Sequence, residues 1–182
     1  MKLTIIIPCF NEVNTIREII DKIIKVSLYE NEIIVIDDFS TDGSREILSE
    51  IEKTKVSKLI LNEKNFGKGY CIKKGINEAT GDIIIIQDAD LEYDPSDYTK
   101  LIEPIRKNQA DVVYGSRFIG SEEKRVLYYW HTLGNKFLTT LSNMFTNINL
   151  TDMECCYKAF KTEVIKKIDL KESRFGFEPE VT

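Results

Sequence analysis

The chain has 182 residues, enough for one domain with a sizeable core. Its 42% hydrophobic and 30% charged content is ordinary for a soluble globular protein. The net charge of −5 argues against a general nucleic-acid binder, since a phosphate backbone selects a basic surface, but it leaves room for a small phosphorylated ligand held by local cations.

Strands and helices alternate along the chain. Residues 3–8 predict a short apolar strand. Asn14 then reads as an N-cap, with Ile16, Ile19, Ile20, Ile23 and Ile24 at helical spacing. Residues 33–37 are a second strand. Ser40-Thr41-Asp42-Gly43 is a turn and cap before a helix that turns Ile47, Leu48 and Ile51 inward. Residues 56–61 predict a third strand. Asn65-Phe66-Gly67-Lys68-Gly69 is a loop leading to a helix that ends near Thr80-Gly81. The apolar run in residues 83–87 reads as a strand buried on both faces. Pro95-Ser96 opens a helix toward Lys107, with Pro104 as a kink or early stop. Residues 112–116 predict another strand. After about Arg117 the alternation stops: residues 121–125 are a charged loop, residues 127–145 one long helical pattern, and residues 155–160 a late strand. The repeated β-α-β order predicts a single α/β domain over residues 1–182, with a Rossmann-like, mostly parallel sheet and helices on both faces.

Cys9, Cys71, Cys155 and Cys156 include no C-x-x-C pair, and His131 is the only histidine, so a zinc site is not expected. The thiols read as reduced, as in a cytosolic protein. No signal peptide is visible, and no stretch reaches the roughly 18–20 apolar residues that cross a bilayer. The ending Glu178-Pro179-Glu180-Val181-Thr182 lacks the look of a natural tail and suggests a domain trimmed before a C-terminal membrane region.

Asp88-Ala89-Asp90 follows directly on the isoleucine run. Carboxylates there project from the C-terminal edge of a strand, where open α/β folds place their ligands. Two acids one residue apart repel, so burying them is costly without a cation. A divalent metal holding a diphosphate resolves the repulsion, and hard oxygen ligands suit Mg²⁺ or Mn²⁺. From position alone, a turn in which Asp88 or Asp90 caps the next helix is an equal account. Three more polar loops follow predicted strands: Pro8-Cys9-Phe10-Asn11-Glu12, Asp37-Asp38-Phe39-Ser40 and Gly115-Ser116-Arg117. Each alone is explained as a cap, turn or solvated loop. A parallel sheet puts all four on one rim, which favours a common site. Acids outnumber bases there, so an anion arriving with its metal fits better than a bare anion, with Arg117 as a bidentate phosphate clamp. Lys68, between two glycines, adds charge where backbone approaches closely; a flexible turn explains Gly67-Lys68-Gly69 nearly as well. The dinucleotide G-x-G-x-x-G, the P-loop and the Gly-rich basic loop of nucleotidyltransferases are all absent.

The segments Ile7-Pro8-Cys9-Phe10-Asn11-Glu12, Ile36-Asp37-Asp38-Phe39-Ser40-Thr41-Asp42-Gly43, Gly81-Asp82 with Asp88-Ala89-Asp90-Leu91, and Gly115-Ser116-Arg117-Phe118 resemble family 2 glycosyltransferases. The likeness covers essentially the whole chain. It is closest to the polyprenyl-phosphate sugar transferases, of the dolichol-phosphate mannosyltransferase and undecaprenyl-phosphate glucosyltransferase type. The resemblance implies a GT-A fold and a nucleotide-diphosphate sugar donor, UDP- or GDP-linked. It implies that Pro8, Phe10, Glu12, Ile36 and Asp38 line the nucleoside pocket; Lys68 and Ala89 are nominated beside them for the nucleotide sugar. It implies that Asp90 and Glu92 hold Mg²⁺ or Mn²⁺, that Asp88 lies at the reacting centre, and that Arg117 faces the phosphates. Phe10 stands where the family commonly has Tyr, Phe39 where it has Gly, and Cys155 where Thr is common.

The implied reaction is inverting, metal-dependent transfer to a polyprenyl phosphate at the cytoplasmic face of a membrane, with no nucleic-acid partner. A phosphate monoester, with its second pKa near ~6, is already largely ionised at neutral pH and needs no strong general base. Transfer to a glycan or protein hydroxyl is the alternative, with Glu154 or Glu178 as base; a non-catalytic nucleotide-sugar binding module is another. Residues 127–145 place Leu133, Phe137, Leu141 and Met144 on one stripe, with only Lys136 charged. That pattern fits either a core-packed helix or one lying at a membrane surface. Trp130 and His131 read as packing.

Overall fold

Runs of β-branched residues alternating with amphipathic stretches call for a sheet between helical layers. The computed structural model, which describes residues 1–26, 29–118, 128–174 and 176–182, has that architecture. Its strands are β1 (Lys2–Cys9), β2 (Glu30–Asp37), β3 (Lys58–Leu61), β4 (Ile83–Ile86), β5 (Val112–Tyr114) and β6 (Lys158–Lys161), in the sheet order β3-β2-β1-β4-β6-β5. The first four pair in parallel. The late strand β6 inserts between β4 and β5, antiparallel to both. β5 therefore runs in the direction of β4, and the loops leaving β1, β2, β4 and β5 share one rim.

The helices are α1 (Ile16–Val26), α2 (Ser44–Lys55), α3 (Lys68–Glu78), α4 (Tyr98–Arg106), α5 (Tyr129–Thr146), α6 (Thr162–Ile165) and α7 (Phe177–Glu180). Alternation along the strands divides the core in two. Ile5, Ile7, Val35, Ile83 and Ile85 pack with Ile16, Ile19, Ile20 and Ile23 of α1, Leu48 of α2 and Ile102 of α4. Ile6, Ile34, Ile36, Ile84 and Ile86 pack on the other face with Ile72 and Ile76 of α3, Phe160 and Phe177. All four β4 isoleucines are buried, as a strand covered on both faces requires.

Several boundaries differ from expectation. Val56 is not in β3; it closes α2, its N–H donating to the Glu52 carbonyl. α1 begins two residues after Asn14, and its entry is held by Glu12, whose carbonyl accepts the Thr15 and Ile16 amides. Pro95–Asp97 form a 3₁₀ turn capped by Asp94, and α4 ends two residues past Pro104. The four cysteines are free and buried.

The core-packed account of α5 is overturned. Its buried residues are Asn135 and Thr139, whereas Phe137 is 63% exposed and Leu133 and Met144 are also exposed. Polar bonding turns the helix this way. Asn135 Nδ2 donates to Asp152 Oδ1, the Thr139 hydroxyl to Asn135 Oδ1, and the Met153 amide to Thr139 Oγ1. Trp130 and His131 are exposed rather than packed. Residues 121–125 and Leu127 lie outside the described residues. Among those described, no helix is long and apolar enough to cross a membrane.

At the edge opposite the rim, Glu32 locks β2 to β1 and to the end of α3. Its carboxylate accepts from Thr4 Oγ1 at 2.6 Å, the Thr80 amide at 2.8 Å and Lys2 Nζ at 2.9 Å. Burial opposes the charge, but these donors win and lower the Glu32 pKa from 4.5 to about 2. Stability from this group is therefore present above its unfolded pKa and is lost as pH falls through the folded value. Glu32→Gln should lower stability by about 1–3 kcal/mol at pH 7, the scale of buried partners left unpaired. The gap to wild type should close as pH falls from 4.5 toward 2, read by thermal melts across that range.

Candidate active site

The sheet opens between β1 and β4. Leaving β1 the chain turns toward β2, and leaving β4 it turns the other way, which makes a crevice at the switch point. Pro8 lies past the last β1–β4 pair, Ile6↔Ile86, and without an N–H it cannot extend that ladder. A cleft of about 530 Å³ results, within the range of small-molecule sites.

Of the residues nominated by sequence, Pro8, Phe10, Glu12, Asp38, Lys68, Asp88, Ala89 and Asp90 line the cleft. Three do not. Ile36 is fully buried in the α3-side core, because its place in the β2 alternation points it into the sheet face. Glu92 is exposed and meets Asp90 through its backbone, its amide donating to Asp90 Oδ1 at 2.9 Å. Arg117 is committed elsewhere: Nε and Nη2 each lie 2.9 Å from the Asp152 carboxylate. Asp152 is held below its ordinary range, for although burial raises it, Arg117 and Asn135 lower it more.

The loops are built to fixed shapes. The Asn11, Glu12 and Val13 amides donate to Ser40 Oγ, Ser44 Oγ and Asp42 Oδ2, so the loop after β1 is fastened to the start of α2. Phe39, where glycine was expected, keeps a left-handed backbone at φ 69° under the Arg45 guanidinium. Leu91 does the same at φ 64° between Asp90 and Glu92; bulky residues seldom adopt this region. Asp38 is spent on the next loop. Oδ1 accepts from Asn62 Nδ2 and the Phe66 amide, and Oδ2 accepts from the Gly67 amide. Under the acidic turn, buried Gln87 donates to the Asp88 and Tyr93 carbonyls and accepts from the Tyr98 and Tyr157 hydroxyls.

Lys68 is the first residue of α3, not part of a flexible turn. Its ammonium lies 2.9 Å from Asp88 Oδ1 and 3.1 Å from Glu178 Oε1. Burial disfavours the cation, but the Cys156 sulfur and the two carboxylates more than offset this and raise its pKa. Gly67 and Gly69 are needed because the chain at residues 172–174 crosses the helix start. A Cβ on Gly69 would fall 2.5 Å from the Glu172 carbonyl oxygen, and one on Gly67 2.5 Å from that of Ser173. The same crossing brings Arg174 to the cleft wall beside Cys9, Asn65, Gly67 and Cys71, none of which was nominated. The paired glycines were the one sequence signal of a close crossing, and they do not say which segment crosses.

Among the described residues, no group of three or more His, Cys, Asp or Glu side chains could enclose a metal. Asp90 is exposed at the cleft and Asp88 is partly neutralised by Lys68. One or two hard carboxylates on an open cleft fit Mg²⁺ or Mn²⁺ in the manner in which such ions are shared with a ligand's phosphates, not caged by protein alone.

The profile of the family Glycosyl transferase family 2 matches residues 4–169. The dolichol-phosphate mannosyltransferase of Pyrococcus furiosus is 37% identical over 120 residues, 65% of this chain and 34% of that protein. The undecaprenyl-phosphate 4-deoxy-4-formamido-L-arabinose transferase of Proteus mirabilis is 28% identical over 185 residues, 98% of this chain and 54% of that protein. The chain thus spans about half the length, or less, of these curated relatives. Glucosyl-3-phosphoglycerate synthase from Mycobacterium tuberculosis, solved with Mn²⁺, UDP and glucosyl-3-phosphoglycerate, superimposes with a TM-score of 0.76 at 17% identity, covering 98% of this chain and 62% of that one. That likeness is one of fold, the GT-A fold.

Removing Lys68 leaves two carboxylates facing each other without their cation. Lys68→Met should destabilise the protein by about 3 kcal/mol or more at pH 7. Urea titrations of wild type and variant at pH 7 check this.

Proposed function

The chain belongs to glycosyl transferase family 2, and we propose that it transfers a sugar from a nucleotide-diphosphate sugar, UDP- or GDP-linked, to a polyprenyl phosphate at a membrane surface. The observation that carries the reading is the cleft at the β1–β4 switch, with Phe10 and Asp38 toward its β2 side and Asp88 and Asp90 on its β4 side. A nucleoside stacks on the exposed Phe10 ring at one end while its diphosphate reaches the acidic turn at the other.

Asp90, with Glu92 on the same turn, would hold Mg²⁺ or Mn²⁺, which when bound supplies positive charge against the departing diphosphate. Gln87 and Lys68 fix the Asp88 carbonyl and carboxylate, which suits Asp88 to orienting the donor. The acceptor phosphate oxygen, ionised near neutral pH, attacks the anomeric carbon with inversion and without a strong base. For a hydroxyl acceptor a base is required, and Glu154, whose carboxyl is raised by burial and then by Glu178, suits that second reading.

Asp90→Ala should abolish transfer and the thermal stabilisation by UDP or GDP with Mn²⁺. The unliganded melting temperature should stay in place, because the side chain is exposed. Full activity in excess EDTA would rule out this metal role.

The exposed α5 face, with Trp130 75% and Phe137 63% accessible, is the surface proposed to meet the lipid. In liposome flotation with anionic lipid and polyprenyl phosphate, the wild type should float and a Trp130→Ser, Phe137→Ser variant should not. Transfer only to a soluble hydroxyl acceptor, never to the lipid phosphate, would replace this reading by the second.

A further inference from the structure

We propose that Arg174, rather than Arg117, is the arginine that binds the diphosphate of the donor; the assignment rests on the donor-site reading above. Arg174 is exposed and is the only arginine lining the cleft among the described residues. Arg117 lines no part of it and has both faces of its fork on the Asp152 carboxylate.

Most of the other groups that could meet an anion here are already engaged. A helix N-terminus opening on such a cleft offers amides to phosphate. At the start of α3 four of the five amides from Phe66 to Tyr70 are taken: Phe66 and Gly67 donate to Asp38, Gly69 to the Arg174 carbonyl, and Tyr70 to the Ser173 carbonyl. The ammonium of Lys68 is shared between Asp88 and Glu178. The remaining cation of the wall is Arg174, for which the described residues provide no hydrogen bond or ion pair. Its planar fork matches two phosphate oxygens.

The placement is built, not incidental. A Cβ on Gly67 would fall 2.8 Å from Arg174 Cγ, so the missing side chain is what lets the arginine stem lie across the start of α3. The bonds from Gly69 and Tyr70 fix the backbone on either side of that stem. The Lys171 and Glu172 amides donate to the Glu180 carboxylate, which anchors the crossing segment to α7.

Calorimetric titration with UDP, GDP, uridine and guanosine in Mn²⁺ tests this, on the wild type, Arg174→Ala, Arg174→Lys and the charge-matched surface control Arg106→Ala. Arg174→Ala should weaken the preferred diphosphate by about tenfold or more, the scale of one charge-assisted hydrogen bond. Its nucleoside affinity should be unchanged, with Lys recovering part of the loss and the control matching wild type. Unimpaired diphosphate binding by Arg174→Ala, or an equal loss for the nucleoside, overturns the assignment while the donor site stands. A wild type that binds neither diphosphate overturns both.

Discussion

Like charge crowded on one rim is the constraint around which this molecule is arranged. Glu12, Asp38, Asp88 and Asp90 all face one cleft, with Glu178 just behind it. Two unit charges 4 Å apart near a protein surface interact by about 4 kcal/mol, so the fold stands only if each acid has its own answer. Glu12 takes the Thr15 hydroxyl at the entry of α1, and Asp38 takes two backbone amides and Asn62. Asp88 and Glu178 share Lys68. Asp90 is left exposed at the cleft, accepting the Glu92 amide at 2.9 Å, which is why the proposed metal role falls on it. The scaffold pairs the acids that hold loops in place and leaves the Asp90 carboxylate exposed at the cleft.

How much of this the sequence showed follows from the range over which its signals act. Strands β1, β2 and β4 were legible because uninterrupted β-branched runs have no other stable burial. β6 was seen only as a late strand, and its insertion beside β4 was hidden. Lys158 sits at a fully buried strand position, its ammonium donating to the Met153 and Cys155 carbonyls above the Tyr114 ring. A lysine there reads as solvent-facing until those carbonyls are known. The rim loops were legible because strand ends fix them locally. Arg117 read as an unpaired cation because its partner Asp152 lies 35 residues away. The place of Arg174 at the cleft was not legible, since what directs it is a crossing over glycines far earlier in the chain.

α5 shows the limit of periodicity more sharply. The spacing of Leu133, Phe137, Leu141 and Met144 marks an apolar face, but not the side on which the rest of the protein lies. Asn135 and Thr139 settle that side by satisfying the loop at Asp152 and Met153, a demand that apolar side chains cannot meet. The helix thus trades burial of its own stripe for pairing of buried polar groups. The same Asp152 that anchors Arg117 also anchors α5, so one carboxylate sets the position of both.

The insertion of β6 has a consequence for how the chain reaches its native state. β5 hydrogen-bonds to no strand except β6, and β6 is made after it. During synthesis the four parallel strands can assemble as they emerge, but β5 must wait, and the far edge of β4 stays open, until Lys158 has left the ribosome. The last third of the chain is therefore not an appendage to a finished domain. It is the piece that closes an exposed strand edge, and a nascent chain stalled before it would present that edge to its neighbours as a template for aggregation.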